Sequence, residues 1–259
     1  MSHARWLPAL LLGVSFGTGC VDDTLSLSIN GFQAITETNM CVATTTPTVG
    51  LAEGTLDVGM VQAGASAGFK GYIVAPTVVN NLVERATAAT TETDAIDITG
   101  FDVELQPAAD DMVLQTALPA SQRAYFVPVA GGRIFPGGNS AASSHAVIVF
   151  EVIPVQVALA MSARVQAGNP PGAPRPLIVH MRPVGNRAGL RINGGFVDLP
   201  ITICKFCLSN PPDMCPTGGF NPKSVAISCF PWQDSPSTCC TSGNFLLCGS
   251  QVPTSTTTM

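Results

Sequence analysis

Short apolar runs that alternate with polar residues, each closed by a glycine- or proline-rich turn, leave this chain few folds to choose from. Leu25, Leu27 and Ile29 alternate with serines, and further runs cover residues 55–61, 71–80, 95–105, 112–117, 123–129, 146–161, 176–183 and 189–203. A period of two sends successive side chains to opposite faces of a strand, so each run can bury one face. Turn signals separate the runs at Gly131-Gly132, Pro136-Gly137-Gly138-Asn139, Gly168-Asn169-Pro170-Pro171-Gly172 and Asn193-Gly194-Gly195. Only residues 81–90 have helical character, and their β-branched threonines weaken it. Many short strands without alternating helices predict an all-β sandwich or barrel. A parallel α/β sheet is excluded on this reading, because its crossovers need helices.

Cysteine placement divides the chain. There are nine cysteines, and seven of them (Cys204, Cys207, Cys215, Cys229, Cys239, Cys240 and Cys248) fall in one segment. Such density marks a small module held by covalent links in place of a large apolar core. Alternation also stops after Ile203, giving way to Pro, Ser and Gly. The expected organisation is a leader at 1–19, a short tether at 20–24, a β domain at 25–207, a disulfide-stapled module at 208–251 and a disordered threonine-rich tail at 252–259. Seven is odd, so one bond must leave the module. Cys41 is the expected partner, bonded to Cys204 or Cys207; the remaining pairings stay open.

The leader carries Arg5 near its start, an apolar stretch from Trp6 to Phe16, and the small residues Gly17-Thr18-Gly19 before Cys20. This is the layout of a secretory signal. Its apolar stretch is short of the roughly 20 residues a spanning helix needs. Small residues directly before a cysteine resemble the lipobox of bacterial lipoproteins. That resemblance implies cleavage before Cys20 and lipidation of its thiol and amine, a covalent lipid in place of any cofactor. Val21 in the next position implies the outer membrane. With Cys20 so used, eight thiols remain, the even number that full disulfide pairing requires. The expected address is the cell envelope, with the membrane as a partner through the lipid anchor.

Charge narrows the function classes. The net charge is −5 and only 11% of residues are charged, which excludes nucleic acid as a partner. The most apolar later stretch, residues 146–161, is broken by Glu151, Pro154 and Gln156 and does not span a membrane. Residues 84–111 hold eight acids and one arginine, while 152–197 hold Arg164, Arg175, Arg182, Arg187 and Arg191 and no acid. Strands facing each other would pair these charges. Left unpaired, the arginines would form a face for acidic glycan or phosphate. The acids lack the spacing of a calcium loop.

Three motifs have the spacing of known chemistry. Gly64-Ala65-Ser66-Ala67-Gly68 has the spacing of a nucleophile elbow, which needs a strand before the serine and a helix after it. A strand is expected on both sides, so a small-residue hairpin accounts for it better than a serine hydrolase at Ser66. Cys204-Lys205-Phe206-Cys207 closes a strand and lacks a second such pair or nearby histidines, which favours structural disulfides over zinc or redox use. The Cys239-Cys240 doublet lacks the further cysteines of a knottin, and its members are expected to bond different partners. No catalytic residue and no metal site is assigned.

The Cys20 signal, the stretch from Cys41 through Gly54-Thr55-Leu56-Asp57-Val58 to Val78-Val79-Asn80, and the closing Pro200-Ile201-Thr202-Ile203-Cys204-Lys205-Phe206-Cys207-Leu208 together resemble uncharacterised lipoproteins common in myxobacteria. The resemblance implies an architecture and carries over no catalytic residues. The expectation is an Ig-like antiparallel β-sandwich with a C-terminal disulfide-rich module. It lacks the buried Trp of true Ig domains, since Trp6 and Trp232 lie outside the β domain. Its expected role is a non-catalytic structural or adhesive module, with a surface protein or glycan as partner.

Overall fold

The computed structural model describes residues 26–35, 43, 50–64, 68–83, 94–137, 144–165, 172–209, 229–230, 232–234, 239–242 and 245–248. The chain folds mostly into strands. In order they are β1 (Leu27–Phe32), β2 (Gly54–Asp57), β3 (Tyr72–Val74), β4 (Pro76–Asn80), β5 (Ile96–Pro107), β6 (Ala124–Pro128), β7 (Arg133–Ile134), β8 (His145–Val147), β9 (Phe150–Ile153), β10 (Arg175–Arg187), β11 (Leu190–Asn193), β12 (Val197–Cys204), β13 (Cys239–Ser242) and β14 (Phe245–Cys248). The main sheet has the order β2-β12-β10-β5-β6, with β11 beside β10 and β7 beside β5. A three-stranded sheet runs β1-β4-β8, and β3-β9 and β13-β14 form two-stranded pairs. Pairing is antiparallel throughout these ladders except for β2 on β12, which is parallel.

Alternation along the long strands sorts the two faces of the main sheet. Phe101, Val103 and Leu105 of β5, Leu177, Val179 and Met181 of β10, and Leu199, Ile201 and Ile203 of β12 are all buried. The β3-β9 pair shares this core, with Phe101 stacked on Phe150 at 4.4 Å between centroids. The intervening residues Asp102, Glu104, Ile178, His180, Arg182 and Asp198 turn toward solvent.

Three helices replace expected strand. α1 (Val58–Gly64) takes the end of the 55–61 run, α2 (Met112–Ala117) takes the whole of 112–117, and α3 (Val155–Val165) takes the end of 146–161. Each has a local cause. Asp57 accepts from Gly59 N and Met60 N at 3.0 Å, and Asp111 accepts from Val113 N at 3.1 Å and Leu114 N at 3.0 Å, the geometry of an N-cap. Pro154 ends β9 and its carbonyl accepts the first helical bonds, from Val157 N at 2.9 Å and Ala158 N at 3.0 Å. α3 buries Ala158, Met161, Ser162 and Val165, one face at helical spacing, and packs against both α1 and α2. Of the helical stretch expected at 81–90, residues 84–90 lie outside the described residues and 81–83 are not helical.

Candidate functional site: the outer face of the main sheet

The arginine segment and the acidic segment meet on neighbouring strands. Register sets Arg182 of β10 opposite Asp102 of β5, and His180 opposite Glu104 on one side and Asp198 of β12 on the other. Arg182 contacts Asp102 at 2.9 Å, and Arg191 of β11 approaches the same carboxylate at 3.7 Å. Arg175 reaches Asp111 at 2.9 Å, and Arg187 reaches the nearly buried Asp94 at 2.5 Å. The pairing of these two charged segments was one expectation of the sequence. Arg164 stands apart in the last turn of α3 and is exposed. The five arginines therefore do not form one face.

What the sheet does assemble is a strip centred on Asp102. The Arg182 guanidinium lies over the Phe196 ring, 4.6 Å from its centroid, and that of Arg191 lies 6.0 Å from the Phe126 centroid. His180 stacks on Phe196 at 4.1 Å and 11° and hydrogen-bonds Asp198 through Nδ1. Phe126 and Phe196 each remain 45% exposed, and Ile178 adds an exposed apolar side chain on the same face. Gly100 makes room for this: a Cβ there would run into the Phe126 ring and the Val127 carbonyl, so the ring lies across bare backbone. Phe126 and Asp198 were not singled out from sequence. The signal available was the alternation of Phe126 with Tyr125 and Val127, which puts Phe126 on the polar face.

A second cluster lies at the opposite end of β12. Cys204 and Cys207 are bonded to each other. This corrects the expected bond from Cys41 to one of them; four-residue closure satisfies both sulfurs locally. Cys229 is also disulfide-bonded. Cys20, Cys41 and Cys215 lie outside the described residues, and the β13-β14 register sets Cys239 opposite Cys248, with Cys240 one position along. Asp57 sits beside the Cys204–Cys207 bond, with its carboxylate within 4.8 Å of both sulfurs. Its oxygens accept from Phe206 N at 2.7 Å and Leu208 N at 2.9 Å as well as from the start of α1. Burial pushes the carboxyl above its ordinary range, outweighing the four backbone N–H groups that favour the charged form.

The third cluster is built by residues of the cysteine-rich segment. Trp232 is 6% exposed, stacks on Phe69 at 4.3 Å and donates from Nε1 to Gly71 O at 2.8 Å. Gln233 pairs by its side-chain amide with Ile73 N and Ile73 O, both at 2.9 Å. Asp234 accepts from Tyr72 Oη at 2.7 Å and Thr55 N at 2.9 Å. Sequence placed Trp232 outside the β domain, yet its side chain belongs to the same core.

Ser66 lies outside the described residues. Its surroundings run opposite to an elbow: α1 precedes it, where a strand was expected, and β3 follows. Compared with known proteins, the chain matches no family model, no curated protein and no solved structure.

Proposed function

We propose that this protein is a non-catalytic adhesive module of the cell envelope, held to a membrane through lipid on Cys20, that binds a protein partner with the outer face of its main sheet. The observation that carries this reading is the strip Phe196–Arg182–Asp102–Arg191–Phe126. Aromatic and arginine side chains are the residues enriched at the energetic centres of protein interfaces. Here the two arginines are held by one carboxylate, so less of their side-chain freedom is lost on binding. Exposed Phe126 and Phe196 offer apolar area at both ends of the strip, and the charges between them are already paired. That pairing disfavours the alternative of an acidic glycan or phosphate ligand, which would have to displace Asp102, Asp94 and Asp111 from their arginines. The order of elements around Ser66 likewise gives no support to a hydrolase.

The architecture is read as a two-layer sandwich, with the main sheet facing β1-β4-β8 and β3-β9 across one core. It is Ig-like only in this layering, since the parallel β2-β12 pair and the three helices depart from that pattern. Anchoring rests on the lipobox-like residues before Cys20 and on the resemblance to myxobacterial lipoproteins.

The test uses immobilised full-length protein and detergent-solubilised envelope material. Capture is expected from untreated and periodate-oxidised material, to fail after protease treatment, and to be lost in a Phe126→Ala, Phe196→Ala double variant. Capture abolished by periodate would give the face a glycan; capture that survives the double variant would remove the face from the reading. Separately, palmitate labelling of the expressed protein is expected to vanish in Cys20→Ser.

A further inference from the structure

We propose that the Cys204–Cys207 bond is a reactive disulfide that exchanges with a dithiol, attack falling on Cys207 and Cys204 leaving beside Asp57. The two sulfurs differ in access. Cys204 is fully buried at the end of β12, whereas Cys207 is exposed on the loop that follows. An incoming thiolate therefore has one reachable sulfur, and the side of attack decides which cysteine is expelled.

The surroundings fit exchange better than a purely structural staple. A bond that closes a loop of sequence separation 3 restrains the unfolded chain less than almost any other disulfide. Phe206, inside that loop, is held at φ 62, a region that bulky residues adopt only when their surroundings fix them there. Its N–H is held by Asp57 at 2.7 Å, so the carboxylate and the bond together maintain this conformation. Cys204 Sγ is buried, 3.7 Å from Leu56 O. A thiolate left there takes up a proton.

Asp57 lies beside the bond, its carboxyl within 4.8 Å of both sulfurs. From the loop Lys205 faces the same carboxyl; burial lowers its affinity for a proton and the attraction of Asp57 raises it. α1 brings no charged residue to the cluster. The first thiolate of the dithiol attacks Sγ of Cys207 and forms a mixed disulfide. The S–S bond breaks, its electron pair leaves on Sγ of Cys204, and that sulfur takes a proton from solvent. The second thiol loses its proton to solvent and attacks the reductant's own sulfur in the mixed disulfide, releasing Cys207 as thiolate. The dithiol ends as a disulfide, the protein has gained two electrons, and solvent returns a proton to Cys207.

The experiment treats the folded, oxidised full-length chain with limiting dithiothreitol, quenches in acid, alkylates, and maps the peptides. Cys204 and Cys207 are expected to be labelled about tenfold faster than Cys229, whose bond serves as the internal reference. With glutathione in place of dithiothreitol, the mixed adduct is expected on Cys207. Labelling of Cys204 and Cys207 no faster than Cys229, or an adduct on Cys204, would overturn the proposal.

Discussion

Replacing Trp232 by alanine should unfold more than the cysteine-rich segment that carries it. The indole is 6% exposed, sits on Phe69 at 4.3 Å and near Phe230 at 5.7 Å, and donates to Gly71 O at 2.8 Å. Removing a buried aromatic costs about 3–5 kcal/mol, because neighbours relax only partly into the space. Losing its hydrogen bond costs about 1 kcal/mol more, since Gly71 O keeps no described substitute. The expected total is about 5 kcal/mol, comparable with the whole stability of many domains. Trp232→Phe keeps most of the ring and loses the donor, so its expected cost is about 1–2 kcal/mol. Urea unfolding of the oxidised chain, followed by circular dichroism at strand wavelengths, measures both. With Trp6 replaced by Phe, Trp232 is the remaining tryptophan, and its fluorescence follows the docking of the segment directly. If Trp232→Ala costs less than about 1 kcal/mol by circular dichroism, the segment is not part of the cooperative core and the packing argument fails.

Two further changes test the sheet and its edge. Gly100→Ala sets a methyl against the Phe126 ring and the Val127 carbonyl; overpacking of this kind costs about 1–3 kcal/mol and should also weaken partner capture, and a neutral effect in both assays would mean Phe126 does not lie over the sheet. Asp234 is exposed as a residue, but its carboxyl is partly desolvated against buried Tyr72, which raises it above its ordinary value of 3.8, against the hydrogen bonds from Tyr72, Thr55 and Gln233 that lower it. A folded value above the unfolded one stabilises fully below 3.8 and is lost as pH rises through the folded value, so the unfolding free energy of Asp234→Asn should fall less than that of the parent between mild acid and neutrality. A steeper fall in the variant, measured by denaturant titration across that range, would reverse the assignment.

The long strands were legible because their alternation survives in the fold: the buried set on β5, β10 and β12 is the apolar set of the sequence pattern. The helices were not, for reasons specific to each. α1 and α2 are too short for an amphipathic period to show, and their signals are single capping aspartates, Asp57 and Asp111. α3 was readable. Pro154 breaks the run, and Ala158, Met161, Ser162 and Val165 follow at spacings of three and four. The fate of the arginines was less accessible, because it depends on strand order. Arg182 meets Asp102 only because β10 lies beside β5 in that register, 80 residues away in sequence. Residue counts indicate that the charges can pair; only the sheet order says which pairs form, and that Asp102 serves two arginines at once.

The cysteine-rich segment has a physical task at the edge of the main sheet. β2 ends the strand order, and it is joined to β12 by the parallel pairing that ends at Cys204↔Asp57. An unprotected edge strand presents free N–H and C=O groups to any passing chain. Here Asp57 N donates to Trp232 O at 2.8 Å, Asp234 N donates to Thr55 O at 3.0 Å, and Leu56 bridges to Gln233 in antiparallel sense. The Gln233 amide then pairs with Ile73 on β3, so residues 232–234 join β2 to the neighbouring ladder as a missing strand would. The Cys204–Cys207 bond lies at the other margin of the same strand, where Asp57 holds Phe206 and Leu208. β2 is thus fixed on one side by the disulfide loop and on the other by the returning segment. That explains how a four-residue strand persists at the end of the sheet order, where its own ladder with β12 gives it only one row of partners.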